Sequence, residues 1–395
     1  MTQRGGEVGA TERGVDQRAA DQQAPTDTHA EMGPAQLADI FLAGTVFHDI
    51  IFTGLVTAPA GGHEIWTDGM GSSPGGVANL AVACARLGLR TSLAAAFGGD
   101  VYGDYCWSML EQAEGVDLSH SSRFEGWHSP VTVSLAYDQD RAMVTHAHPP
   151  PVSVDEMIGS PPPSKVCFTD LGRERGAWVD EAVARGSLVF CDVGWDSTGE
   201  WNADELVKRL AGCHAFVPNA TEAMSYTRTD SPGAALEQLR EWVPLAVVTT
   251  GSGGAFAADA GSGETAWVPA VPVTALDPTG AGDVFLAALV VGTLRGWSLN
   301  QRLRFANLCA ALSVRDFGGA LAAPGWQEVA DWWAAARNSA RHARDFAFLD
   351  DVLAQTTPRA VSRAAATIGL RPLDPFISAH SFHRHDEPHD PEDRS

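Results

Sequence analysis

Along most of the chain, short apolar runs alternate with segments whose apolar positions recur at helical spacing. ADIFLAGTVF (38–47) reads as a strand, and Val77 to Leu87 reads as an amphipathic helix entered through Gly75-Gly76. TSLAAAF (91–97) reads as a second strand, Tyr102 to Ala113 as a helix and VTVSLAY (131–137) as a further strand. KVCFTD, SLVFCDV, HAFVPN and LAVVTT continue the strands. Helical stretches fall between them: up to Arg185, around Ala203 to Leu210, at Thr221 to Tyr226 and at Ala234 to Trp242. After a β-rich stretch to Val273 the period is helical at Ala281 to Leu294, Leu299 to Asp316 and Trp326 to about Arg337. Such alternation predicts an α/β fold with a doubly wound, mostly parallel sheet, right-handed crossovers and helices on both faces. The β pieces before Gly75, HEIWTD among them, do not alternate with helices and predict a small separate sheet or lid over about 53–72.

The ends differ from this pattern. Residues 1–35 are rich in Gly, Gln, Thr, Asp and Ala without apolar periodicity, which predicts a disordered arm. The globular domain is expected over 36–340, followed by an extension at 341–395 that is partly helical and then disordered. Its last residues carry several histidines, but a loose polar tail lacks the fixed geometry of a metal site.

Composition narrows the class. The 395 residues are 45% hydrophobic and 19% charged, as in an ordinary globular protein of two to three domains or one large α/β domain with extras. A net charge of −22 repels a phosphate backbone and argues against nucleic acid as a partner. The cysteines (84, 106, 167, 191, 213 and 309) form no C-x-x-C pair, and no hydrophobic signal segment follows Met1, which points to a reducing, cytoplasmic compartment. The longest apolar run, Val284 to Leu294, falls short of the ~20 residues a membrane span needs, so no membrane partner is expected.

In parallel α/β sheets, ligands lie beyond the C-terminal ends of the strands. Residues there include His48-Asp49, Gly98-Gly99-Asp100, Asp170, Asp192, Asn219 and Thr250-Gly251. The most informative is Asp277-Pro278-Thr279-Gly280-Ala281-Gly282-Asp283, which runs into an apolar helix. Small residues at a helix start leave amides open to an anion, and Asp283 in the first turn stands where it can accept the proton of an attacking hydroxyl. The helix dipole is expected to keep Asp283 ionised. Gly75-Gly76 permits close backbone approach, and Asn79 offers a donor and an acceptor to a polyhydroxylated ligand. Asn219 and Glu222, three apart, can share a face towards the water shell of Mg²⁺, although the same pattern is an ordinary helix cap. VVTTGSGGAFA (247–257) is either a hairpin turn or the floor of a nucleotide site. The chain has no G-x-x-x-x-G-K-[ST], which excludes a Walker-type NTPase.

These four segments, in this order, resemble the ribokinase-like family of carbohydrate and nucleoside kinases, also called the phosphofructokinase B family. The resemblance spans about residues 36 to 335 and rests on Gly75-Gly76-Val77-Ala78-Asn79 and on 277–283. It implies an ATP-dependent phosphotransferase with a small β lid over a sugar or sugar-like substrate. Asp49, Gly75, Gly76 and Asn79 would bind that substrate, and Asp283 would be the base beside an anion hole at Gly280, Ala281 and Gly282. Asn219, Glu222, Thr249, Gly251, Ser252, Gly254 and Asn307 would serve ATP, with Glu222 reaching Mg²⁺ through water. A monovalent cation such as K⁺ would sit at Asp277, Thr279 and the 315–319 loop. Pro278 stands where many members have threonine, and Asp140-Arg141 where ribose-specific members present a glutamate, which argues against ribose itself. Two alternatives stand beside this: a nucleoside (adenosine-like) kinase, and a catalytically silent sugar- or nucleotide-binding protein. Pairing of the lid edges would give a homodimer.

Overall fold

The computed structural model describes residues 37–357, 361 and 368–369, apart from 56, 68, 138, 139, 172–174, 195, 197 and 317. The expected arm at 1–35 and the tail beyond 369 lie outside the described residues.

An eight-stranded sheet forms the base. Its parallel strands are β1 (Ala38–Ala43), β4 (Thr91–Ala94), β9 (Ser164–Asp170), β10 (Leu188–Asp192), β11 (Ala215–Phe216) and β12 (Leu245–Thr249). β13 (Ala255–Asp259) and β14 (Glu264–Val268) extend it antiparallel, giving the order β14-β13-β12-β11-β10-β9-β1-β4. One face packs against α1 (Val77–Arg86), α8 (Ala281–Leu294) and α9 (Leu299–Ser313); Leu80, Phe285, Leu289 and Phe305 are buried there. Helices α4 (Ala177–Ala184), α5 (Ala203–Arg209), α6 (Ala220–Thr227) and α7 (Pro232–Leu239) cover the other face over Phe41, Trp178 and Phe216. α10 (Trp326–Ala336), α11 (Ala340–Asp345) and α12 (Phe348–Ala354) follow, so the start of the expected extension is helical.

ADIFLAGTVF is not one strand. The chain breaks at Gly44-Thr45, and β2 (Val46–Leu55) leaves for a second sheet. A side chain at Gly44 would press on Val77, its Cβ 3.1 Å from the valine Cβ, so glycine eases the close approach of the turn to α1. The second sheet has the order β15-β3-β2-β7-β8, built from β3 (Gly69–Gly76), β7 (Val131–Tyr137), β8 (Asp140–His146) and β15 (Ile368–Gly369). It is therefore wider than the 53–72 segment, and VTVSLAY belongs to it instead of to the parallel sheet. His63 to Thr67, expected as strand, has no regular structure. Among the described residues β15 pairs with Gly69 and Met70 and none pairs with Pro74 from that side, an edge position where a missing N–H is tolerated.

Two anchors fix the crossings between the sheets. Asp100 caps α2 (Val101–Ser108) by accepting the Gly103 amide at 2.8 Å, and it also accepts the Ser129 amide and hydroxyl, each at 2.8 Å. Arg86 at the end of α1 pairs with Glu114 at 2.7 Å and donates to the carbonyls of Leu321 (3.0 Å) and Ala323 (2.6 Å). Both ionic side chains are almost wholly buried, with 4% and 6% exposure. Arg86→Met leaves the Glu114 carboxylate buried without its partner, and urea unfolding should show a loss of about 3 kcal/mol or more. An unchanged midpoint would show that this pair does not hold the 319–323 turn on α1.

Candidate active site

The two glycine-marked helix starts meet above the C-terminal ends of the parallel strands. Gly76, with φ 62°, turns the chain from β3 into α1, and a Cβ there would strike the Thr45 carbonyl and the Phe47 ring. Gly280, with φ 75°, does the same at the start of α8. Asn79, one turn into α1, donates its side-chain amide to Asp283 Oδ2 at 3.2 Å. The other side-chain atom of that residue, Oδ1, is buried and has no hydrogen-bond partner among the described residues. It lies against Gly319, where a Cβ would come within 3.0 Å of it.

At the start of α8 the amides are not equivalent. Ala281 N–H donates to the Pro278 carbonyl at 3.2 Å, so the turn itself already uses it. The Asp283 amide is drawn to its own carboxylate. Gly282 is exposed, and a Cβ placed on it meets nothing within 4 Å. The open part of the expected anion hole is therefore at Gly282.

Burial pushes the Asp283 carboxyl up to about 7; the Asn79 bond pulls against this, and the Asp170 carboxylate adds to it. Burial thus works against the expectation that the helix dipole keeps Asp283 ionised. Asp283 stands among other acids. Asp192, at the end of β10, is raised well above the usual carboxylate range by burial and by Glu222, Asp283 and Asp170. Glu222 is itself raised by burial, with Asp170 adding to the shift.

Asn219 and Glu222 form a reciprocal cap on α6: Glu222 N–H donates to Asn219 Oδ1 at 3.0 Å, and Asn219 N–H donates to Glu222 Oε2 at 2.9 Å. The ordinary capping role is thus real, and the same cap holds the buried Glu222 carboxylate facing the acidic group. Thr249 ends β12 beside it, its N–H on the Pro218 carbonyl at 3.1 Å. Gly251, Ser252 and Gly253 make an exposed turn closed by the Gly254 carbonyl, which takes Thr250 N–H at 2.8 Å. Gly254, at φ 94°, lies so close to the Val268 carbonyl that no side chain fits. Asn307 does not present its amide N–H to this turn: it donates to the carbonyls of Val268 (3.0 Å) and Pro269 (3.3 Å), pinning the exit of β14.

Asp49 lies on β2 opposite Ser73, next to Gly75, whose missing side chain leaves room for the carboxylate. Thr132 on β7 is its other cross-strand neighbour and bonds the Thr145 hydroxyl at 3.1 Å, so polar groups run across this sheet face. Asp277 is buried and accepts the amides of Thr279 (2.9 Å) and Gly318 (3.3 Å), clamping the loop before α8 to the 318–322 turn. The side chains of Asp140 and Arg141 lie outside the described residues. Gly319 escaped the sequence reading as a wall for Asn79, and so did the burial that shifts Asp283. Neither leaves a local pattern.

Residues 179–325 match the family model described as pfkB family carbohydrate kinase. A ribokinase from Schizosaccharomyces pombe is 26% identical over 314 residues, covering 74% of this chain and 97% of that protein. A nucleoside kinase from Methanothermobacter thermautotrophicus is 28% identical over 263 residues, covering 62% and 79%. Among solved structures, Arabidopsis thaliana ribokinase complexed with ribose and ATP superposes with a TM-score of 0.62 at 22% identity, over 75% of this chain and 98% of that one. Burkholderia thailandensis nucleoside kinase in complex with inosine gives 0.62 at 20% identity, over 75% and 97%. With its ribokinase-like fold and its two signature helix starts in contact, the chain resembles the pfkB family of carbohydrate kinases, phosphotransferases that take an alcohol group as acceptor.

Proposed function

We propose that this chain moves the γ-phosphoryl group of ATP onto a hydroxyl of a sugar or nucleoside, with Asp283 as the base. The observation that carries the reading is the Asn79–Asp283 contact beside the open start of α8. The acceptor lies between Asp49 and Asn79, its hydroxyl at Asp283. A hydroxyl bonded to Asn79 would also relieve the unpartnered oxygen of that side chain, a cost of about 1–3 kcal/mol when unmet. The transferring group meets the Gly282 amide and the positive end of α8, fixed dipoles that need no reorganisation as charge develops. ATP extends from there over Glu222 and Thr249 towards the Gly251–Gly254 turn, with Asn307 shaping that wall from behind.

The donor set suits Mg²⁺. The buried Glu222 carboxylate raises the proton affinity of Asp192, and Asp170 raises that of Glu222, so a divalent cation beside them would offset the repulsion. When bound, the ion would supply charge neutralisation of the phosphates. A monovalent cation at Asp277 would have to use the lone pairs left beside the Thr279 and Gly318 amides. A cytoplasmic enzyme that pairs with a second copy along the exposed β8 edge completes the proposal; Met143 and Val144 are 56% and 66% exposed there. No helix among the described residues is long and apolar enough to cross a membrane.

The test is a screen of sugars and nucleosides with ATP and Mg²⁺, with and without K⁺, reading phosphorylated product. A base must be deprotonated to act, so kcat/KM should climb as pH rises through about 7 and fall tenfold per unit well below it. A flat profile between pH 5 and 8 would remove Asp283 from the proton transfer.

A further inference from the structure

A cleft of about 150 Å³ opens where the chain crosses between the two sheets, and the chemistry above leaves it unused. Phe47, Ala96, Trp127, Pro130, His148 and Met157 line it. It shares a wall with the acceptor side. Phe47 precedes Asp49 by two positions on β2, and its ring stands 2.8 Å from where a Cβ on Gly76 would be. Thr45, also in the lining, accepts the Val77 amide at 3.1 Å across the same turn. The cleft around Phe47 therefore adjoins the side of the site where Asp49 stands.

The lining tells what group the cleft suits. It holds no lysine, arginine or carboxylate, and its one titratable side chain, His148, is exposed, so a phosphate, acid or amine appendage finds no buried ion partner there. The Trp127 indole N–H is already spent on the Pro149 carbonyl at 3.0 Å, which leaves the ring as what the residue offers. Aromatic and proline walls favour a flat ring. A cavity of roughly this volume holds a single benzene-sized ring. Resting on the kinase reading for the sugar half, we infer that the acceptor is a glycoside carrying one six-membered planar ring, a pyrimidine-nucleoside-like compound, with that ring in the Phe47–Trp127 cleft.

The test compares ribose, uridine and inosine as acceptors with Mg²⁺ and ATP, and titrates uridine by calorimetry. Ala147→Trp places a ring at the mouth of the cleft from an exposed loop. Uridine should exceed ribose and inosine at least tenfold in kcat/KM, and the variant should raise the uridine-to-ribose KM ratio at least tenfold. Ribose or inosine as the better acceptor, or an unchanged KM ratio, overturns the cleft assignment and leaves the kinase reading standing. If no acceptor turns over, calorimetry decides: uridine binding that the variant abolishes keeps the cleft and overturns the role of Asp283, and no binding overturns the cleft.

Discussion

Asp283→Asn should lower kcat by roughly 10²- to 10⁴-fold, the range in which a positioned base contributes, while leaving the KM for ATP nearly unmoved. The amide keeps the shape of the carboxylate and its place beside Asn79 but cannot take the acceptor proton. The same variant should unfold at a higher temperature than the parent at pH 8. The folded protein holds the Asp283 proton up to about 7, against 3.8 for a free carboxyl, so rising pH across that window costs stability. Asparagine has no proton to lose there. Activity retained within threefold would sink the proposed role, and a melting temperature below that of the parent would show that the acid stabilises the fold.

Gly75→Ala should raise the acceptor KM tenfold or more with a smaller effect on the KM for ATP. A Cβ at this position falls on the Asp49 carboxylate, so the aspartate must turn away from the acceptor. Because the change sits on β3, circular dichroism melting must accompany the kinetics. A proportional rise in both KM values would mean that the substitution disturbs the hinge of the second sheet and not the acceptor contact.

The parallel core was legible because its buried strands are continuous apolar runs with helical periods between them. The second sheet was harder to read. VTVSLAY has the composition of any half-buried strand, and only its pairing with β2, more than seventy residues earlier, decides which sheet it joins. ADIFLAGTVF hid its break for the same reason: Gly44 lies close against Val77 of α1, a contact that the local run of residues does not show. In the site, Asn79 and Asp283 could be named from the glycines before them. The proton affinity of Asp283 could not, since it is set by burial and by Asp170, which the sequence places far away. For Asn307 the resemblance implied a nucleotide contact, and what the local sequence could not show is that its side-chain N–H donates to the carbonyls of Val268 and Pro269.

Asn79 and Asp283 are 204 residues apart along the chain, yet one hydrogen bond joins them. During synthesis the first of the pair leaves the ribosome long before the second exists, and no early fragment can assemble the pair. A truncated or nicked product that lacks α8 should therefore be inert towards ATP.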